Sequence, residues 1–130
     1  MIKVILPLYI DIPRKTKKDK RYYLNINGYR NWCYIVNNQI KKKFKNKISS
    51  QLIFKLNKPK IEYKLFYKDK RNRDKMNIIT VIDKFFMDAL VESNCFKDDN
   101  DKNTGEVIIR NPEIDKENPR CEVTLYNEKI

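Results

Sequence analysis

The sequence predicts a single α+β domain in which a small mixed β-sheet is flanked by two main helices. Its 130 residues fall within the size range of one domain. Some segments alternate apolar and polar residues, which predicts strands, and two longer segments repeat apolar residues at helical spacing. Hydrophobic residues make up 41% of the chain, enough to form a core despite the high charge.

Basic residues are concentrated in the first part of the chain. Residues 1–73 contain 21 Lys or Arg and four acidic residues, a formal charge of +17, whereas residues 74–130 contain eight and 13, a charge of −5. A basic segment favours a polyanionic partner such as DNA, RNA or an anionic membrane surface, because binding to phosphates releases counterions. The alternative explanation of this charge imbalance is a lysine-rich composition without functional meaning.

The composition also argues against several classes of protein. The chain has no histidine, and its three cysteines lack CxxC spacing, which disfavours a zinc site and histidine-dependent catalysis. The apolar start is broken by Pro7, and no apolar run is long enough for a membrane span. We therefore expect a cytoplasmic protein with reduced thiols and no membrane contact.

The first half predicts strand, loop, helix and strand. The β-branched segment Ile2 to Ile10 predicts a strand, and Asp11 to Arg21 predicts an exposed basic loop. Apolar residues at helical spacing predict one basic amphipathic helix from Arg30 to about Gln51. Ile53 to Leu56 is compatible with the start of a strand. Residues 61–68 alternate and predict a half-buried strand.

A strongly amphipathic helix follows that strand. At about 100° per residue, one arc of this helix is apolar: Ile78, Ile79, Ile82, Phe85, Phe86, Ala89 and Leu90. Asp74 precedes it, where a carboxylate also serves as an ordinary N-terminal cap. A polar turn, a strand at Glu106 to Arg110, a proline-containing loop and a strand at Cys121 to Tyr126 complete the prediction.

Aromatic residues are interleaved with Asn and Arg between Tyr22 and Trp32, including Arg30. Such a segment is able to stack on bases and bind phosphates. The structural alternative is that its Tyr and Trp side chains anchor the segment to the core.

Two acidic positions, Asp74 and Asp99, bracket the amphipathic helix, which carries Lys84 on its polar side. Mg²⁺ prefers oxygen ligands and keeps several waters, so a few carboxylates suffice to hold it against a phosphodiester. The metal would polarise the phosphate and activate water, while Lys84 stabilises the developing charge. This pattern favours metal-dependent chemistry on nucleic acid.

The order of these residues resembles the RusA family of crossover-junction endodeoxyribonucleases. The segment from Arg21 to Trp32, with the lysine-rich helix after it, resembles variants found in bacteriophages and prophages. The residues that carry the resemblance are Arg71, Arg73, Asp74, Asn77, Lys84, Asp88, Ala89, Leu90, Asp98 and Asp99. They cover roughly the middle third of the chain. The resemblance implies a RusA-like fold and a homodimer that cuts four-way DNA junctions by paired nicks, with Mg²⁺ or Mn²⁺, in DNA recombination and repair.

The resemblance also implies an active site. Asp74 and Asp99 correspond to metal-binding acids, and Lys84 corresponds to the catalytic lysine. The family commonly has a second acid two residues after the first, where this chain has Met76. Asp83 or Asp98 is a candidate auxiliary ligand in its place.

Asp88 is also able to pair with Lys84 at i, i+4. Candidate DNA-binding residues are Lys15, Lys17, Lys18, Lys20, Arg21, Arg30, Arg71, Arg73 and Asn77. The alternatives to a nuclease are a degenerate or non-catalytic protein that binds branched DNA, and a structural or protein-binding phage factor.

Overall fold

A computed structural model of the chain describes residues 1–98, 100 and 102–128. Its elements in chain order are β1 (Ile2–Leu6), β2 (Tyr9–Ile12), β3 (Lys20–Tyr23), α1 (Ile26–Asn31), α2 (Tyr34–Ile48), a 3₁₀ turn (Ser49–Gln51), β4 (Lys60–Tyr67), α3 (Lys75–Glu92), β5 (Val107–Ile109), β6 (Glu113–Ile114) and β7 (Arg120–Tyr126). The predicted α+β class is confirmed.

The main sheet has five strands and is mixed. Its order is β1-β7-β4-β5, and β6 also pairs with β4. Strand β7 is antiparallel to both β1 and β4, whereas β5 and β6 are parallel to β4. Because β4 and β5 are parallel, the intervening helix α3 runs back from the end of β4 to the start of β5.

One face of this sheet forms the core. Strands β4 and β7 alternate between buried and half-buried positions, as the period-two pattern predicts. The buried sheet residues belong to the same cluster as the apolar faces of α2 and α3. The opposite face carries ion pairs, including Lys3 with Glu122 at 3.2 Å and Lys64 with Glu113 at 2.9 Å. In the described part of the chain, helices therefore cover one side of the sheet and leave the other open.

Helix α3 follows its predicted pattern closely. Asp74 is its N-cap, with a side-chain oxygen that accepts a hydrogen bond from the Met76 amide at 2.9 Å. After Glu92 the chain turns through Asn94, whose φ of 60° is left-handed and ends the helix. Val81 and Met87 are buried beside the predicted arc, so the apolar face is wider than the sequence periodicity indicates.

The helix predicted from Arg30 to Gln51 is divided in the structure. Asn25 caps the short helix α1 by accepting a hydrogen bond from the Gly28 amide at 2.8 Å. The backbone is extended at Trp32 and Cys33, and α2 begins at Tyr34. The single predicted helix was wrong at its start because Trp32 turns onto Phe85 of α3, with ring centroids 6.4 Å apart.

Two strand predictions also need correction. The strand predicted from Ile2 to Ile10 is interrupted at Pro7, and its second part pairs with β3 as a hairpin. The segment from Ile53 to Leu56 forms no strand; its Leu56 amide donates to the Cys95 carbonyl at 2.7 Å. Pro7 lacks the backbone amide that would continue the hydrogen bonding of β1. One backbone hydrogen bond does not make the segment from Ile53 to Leu56 a strand.

Candidate nucleic-acid interface

A cleft of about 600 Å³ lies at the amino end of α3. The β2–β3 hairpin, the end of β4 with the loop after it, the first turn of α3 and the loop before β7 all contribute to its walls. Five residues that the sequence predicted as site residues line this cleft: Arg21, Arg71, Arg73, Asp74 and Asn77. Residues far apart in the sequence are thus brought into one place.

Asp74 is the one carboxylate among the described residues that line the cleft. One of its oxygens accepts the Met76 amide hydrogen bond that caps α3. The side chain is exposed, and a carboxylate has acceptor capacity beyond one hydrogen bond. The predicted cap is therefore confirmed, and it leaves oxygen available to a ligand in the cleft.

The loop before Asp74 is held by Arg73. Its guanidinium forms an ion pair with Asp69 at 2.7 Å and donates to the Arg71 carbonyl at 3.1 Å. It also stacks on the Tyr67 ring, 4.7 Å from the centroid. The Arg71 amide and the Arg73 side chain hold the pKa of Asp69 below its usual value. The Arg73 guanidinium is therefore largely engaged within the protein, where it orders the wall of the cleft, and few of its N–H groups are available to a ligand.

Three other cations of the cleft are available to a ligand. The side chains of Lys68, Arg71 and Lys116 are exposed and make no hydrogen bond or ion pair with any described residue. Arginine presents a planar set of donors that matches phosphate, and lysine a compact charge. These three side chains give the cleft its capacity to bind an anion.

Arg21 is already paired. It forms two hydrogen bonds with the Asp11 carboxylate, at 2.9 and 3.1 Å, and its guanidinium lies 3.8 Å from the Tyr9 ring centroid. The hydrogen bond from Arg21 lowers the pKa of Asp11. Tyr23, 50% exposed, packs edge-on against Tyr9 at the same wall. Arg21 thus fixes an aromatic wall of the cleft.

The predicted basic loop extends from the other end of the hairpin. The register pairs Tyr9 with Tyr23 beside the cleft and Ile12 with Lys20 next to the loop. Arg14 donates to the Lys18 carbonyl at 2.8 Å and orders the loop. The lysines predicted to bind DNA there are exposed: Lys15, Lys17, Lys18 and Lys20. They extend the basic surface away from the cleft.

Some residues of the aromatic segment between Tyr22 and Trp32 anchor it to the core, and others stay exposed. Tyr22, Tyr29 and Trp32 are partly buried against the core, which confirms the anchoring interpretation for these three. Tyr23 remains exposed at the cleft. Arg30 is exposed near the end of α1 and does not line the cleft within the described chain.

Helix α3 separates Lys84 from Asp74. Lys84 is exposed and follows Asp74 by ten residues, or about 15 Å along a helix axis. Asp83 accepts a hydrogen bond from the buried Tyr63 hydroxyl, and burial together with Asp83 raises the pKa of Tyr63. Asp88 pairs with Lys41 of α2 at 3.0 Å, across the helix interface.

Asp98 lies beyond the far end of α3, and Asp99 lies outside the described residues. The 18 residues of α3 correspond to about 27 Å. The chain after α3 stays at that end, since the Cys95 amide donates to the Leu90 carbonyl at 2.9 Å and Gly105 to Pro59 at 2.9 Å. Asp74 and Asp98 of one chain are therefore not brought together.

Across the described part of the chain, no three acidic, histidine or cysteine side chains come together as a group that would hold a metal ion. Mg²⁺ is often held by one or two carboxylates together with substrate phosphates. Asp74, with phosphates bound by the cleft cations, fits that mode of binding. None of the described helices combines the length and apolar character needed to cross a membrane.

Several residues of the cleft were missed at the level of sequence. Lys68 and Lys116 belong to loops that meet only in the fold, and Asn25 lines the cleft together with Asn77. Tyr67 was read as part of an alternating strand, but its hydroxyl is shielded from solvent and has no hydrogen-bond partner among the described residues. Its position at the end of β4, just before the basic loop, is the signal that would have found it.

No protein-family model matches the chain, and no curated protein matches it.

Proposed function

We propose that this protein is a metal-dependent endonuclease that cuts four-way and related branched DNA by paired nicks, in DNA recombination and repair. The observation that carries the proposal is the position of Asp74, an exposed carboxylate in a cleft otherwise rich in basic side chains. The resemblance of the chain to the RusA family, in the identity and the order of its residues, supports the same assignment.

Different residues of the cleft would take different roles in such a reaction. Lys68, Arg71 and Lys116 would bind DNA phosphates, and Asp74 would supply a carboxylate oxygen for Mg²⁺ or Mn²⁺ beside them. When bound, the metal would polarise the scissile phosphate and lower the pKa of a water nucleophile. Lys15, Lys17, Lys18 and Lys20 would hold a DNA arm by its backbone.

Lys84 and Asp99 retain the roles that the resemblance implies for them, as a charge-stabilising lysine and a second acid. Lys84 lies about 15 Å along α3 from Asp74, which is too far for both side chains to contact one phosphoryl oxygen within one chain. Lys84→Ala is expected to lower the cleavage rate more than the affinity for the junction. Equal losses in rate and affinity would assign Lys84 to DNA binding.

Paired nicks require two active sites, so the proposed active form is a homodimer. Its place of action is the cytoplasm of a bacterium or of a phage-infected cell.

The test is strand cleavage of an end-labelled four-way junction against a linear duplex of the same sequence. Reactions contain Mg²⁺, Mn²⁺ or EDTA and compare the wild type with Asp74→Asn and Asp99→Asn. Symmetric nicks in the junction that need both the metal and Asp74 support the proposal. Full cleavage by Asp74→Asn would exclude Asp74 as the metal-binding acid.

A protein that binds branched DNA without cutting it is the second candidate. Met76, 47% exposed, occupies the position where the family commonly has a second acid. The candidate replacements are placed elsewhere, since Asp83 bonds Tyr63 and Asp98 lies past the far end of α3. Tight, junction-selective binding with no cleavage under either metal would favour this second function.

A further inference from the structure

The cleft has an apolar part that a DNA backbone does not require. Leu8, Leu24, Ile78 and Pro119 line it together with the Tyr67 ring, and Leu24 is fully buried. A duplex presents phosphates at its surface, and contacts with them need only exposed cations. A cleft of about 600 Å³ with apolar walls is of the size that encloses a small organic group.

The Tyr67 hydroxyl is the second observation. It is shielded from solvent and has no hydrogen-bond partner among the described residues. A buried hydroxyl without a partner is costly, and such groups call for a specific explanation. Tyr67 lines the cleft, and its ring lies against the Arg73 guanidinium. A group bound in the cleft would reach the hydroxyl once the protein atoms that cover it shift.

We propose that the cleft takes one unstacked nucleotide of branched DNA, whose base packs against the apolar and aromatic walls and hydrogen-bonds with the Tyr67 hydroxyl. This inference rests on the proposed function for its substrate class, branched DNA. Lys68, Arg71 and Lys116 at the same cleft would hold the phosphates on either side of that nucleotide. Extracting a nucleotide costs least where its base is mismatched or already single-stranded.

The exposed polar groups of the cleft fit a base equally well. Asn27 and Asn77 line it with amide side chains, and Tyr23 presents an exposed ring. Amides hydrogen-bond with base edges, and any base is able to stack on an aromatic ring. The inferred pocket therefore accepts a nucleotide with weak dependence on which base it carries.

The experiment compares two single-stranded oligonucleotides, one of thymidines and one with the same backbone but abasic residues. Affinities are measured by fluorescence anisotropy for the wild type, Tyr67→Phe and Tyr126→Phe. Tyr126 is the matched control because its hydroxyl bonds Glu62 at 3.2 Å, on the sheet face away from the cleft. Thermal unfolding of each variant is recorded in parallel.

The wild type is expected to bind the thymidine oligonucleotide at least about fivefold more tightly than the abasic one. Tyr67→Phe should lose about three- to tenfold of the thymidine affinity, as for one hydrogen bond, with no loss for the abasic chain. Because the substitution removes an unpaired buried hydroxyl, the Tm should be unchanged or higher. Tyr126→Phe should leave both affinities unchanged.

Equal binding of the two oligonucleotides by the wild type would overturn the inference. So would a Tyr67→Phe variant with unaltered affinity, or one that loses the same factor for both chains, which would place Tyr67 at a phosphate. If the predicted differences are found but junctions are never cut, the nucleotide pocket stands and the nuclease proposal fails. If junctions are cut without these differences, the nuclease proposal stands and the pocket fails.

Discussion

The carboxylate of Asp74 caps helix α3 and also lies in the basic cleft. These two roles make different demands on the side chain. A cap needs an acceptor oxygen, which Asn also provides, whereas a metal ligand or a charge beside phosphate needs the carboxylate. Substitutions at this one residue are therefore able to separate structure from function.

Asp74→Asn is expected to keep the cap and lose metal-dependent cleavage, with junction binding unchanged or tighter because a charge that repels phosphate is removed. Asp74→Ala should in addition lose about 1 kcal/mol of stability, the usual value of an N-cap. Urea unfolding, junction cleavage and junction affinity measure the three quantities. Equal stability of the two variants would contradict the role of Asp74 as a cap.

The buried thiol of Cys121 makes stability depend on alkaline pH. Burial raises its pKa from 9.0 to about 12, so the folded chain retains a proton that the unfolded chain releases. Stability is therefore fully present below about pH 9 and falls as the pH rises towards 12, by at most about 1.4 kcal/mol per pH unit from this group.

Cys121→Ala is expected to flatten this dependence, although the cavity lowers stability at every pH. Urea unfolding between about pH 9 and pH 10 limits the measurement to the buried thiols of Cys121 and Cys95, since burial also raises the pKa of Cys95 from 9.0. The Tyr63 hydroxyl, whose pKa burial raises from 10.0, contributes only above that range. Cys33→Ala is the control, since Cys33 is exposed. An unchanged slope in Cys121→Ala would show that other groups cause the alkaline loss.

Two elements place the residues proposed to bind DNA, and they do so in different ways. Helix α3 begins at the cleft, carries Lys84 away from it and ends before Asp98. The β2–β3 hairpin has its paired tyrosines at the cleft and its lysine-rich loop at the opposite end. The hairpin therefore joins a local site to a wider basic surface.

Replacing Lys15, Lys17 and Lys18 together by alanine is expected to weaken DNA binding and to reduce its dependence on salt. Each phosphate contact that is lost should reduce the slope of log K against log salt by about 0.9. The cleavage rate at saturating protein should change little, because these residues lie away from Asp74. Affinity across a series of salt concentrations gives the slope.

A triple variant with Lys42, Lys97 and Lys102 replaced by alanine has the same change in net charge. These side chains are exposed and do not line the cleft within the described chain. The control should retain most of the wild-type salt slope. If both triple variants lower the slope equally, only net charge matters and the hairpin loop is no phosphate contact.

At the scale of the whole molecule, a junction resolvase needs two active sites that face opposed strands. Wild-type protein mixed with an excess of Asp74→Asn and allowed to exchange subunits would have most of its wild-type subunits in mixed dimers. These are expected to nick one strand of a four-way junction and to leave the other intact. Denaturing and native gels of a supercoiled cruciform substrate distinguish single nicks from paired ones.

The control is wild-type protein mixed with a Cys33→Ala variant, which should continue to give paired nicks. Sedimentation at the concentrations used would confirm the dimer. Paired nicking in strict proportion to the wild-type protein, with no single nicks, would mean that subunits do not exchange or that each chain acts alone.

Local patterns in the sequence were sufficient to predict much of this molecule. The alternation in β4, the apolar arc of α3 and the cap at Asp74 each depend on a few neighbouring residues, and each is confirmed. The split of the chain into a basic first part and an acidic second part was also readable directly. These features depend on periodicity and charge, which neighbouring residues fix by themselves.

Only the tertiary structure decided where the site residues meet. It brought Arg21 and Lys116 to the same cleft as Asp74, and it left the Tyr67 hydroxyl without a hydrogen-bond partner among the described residues. It also separated Asp74 from Lys84 and Asp98, which belong to the same sequence motif. The physical reason for the separation is that a helix extends by about 1.5 Å per residue, so residues far apart along α3 are far apart in space. The cleft residues meet because loops pack together, and no local sequence pattern predicts that packing.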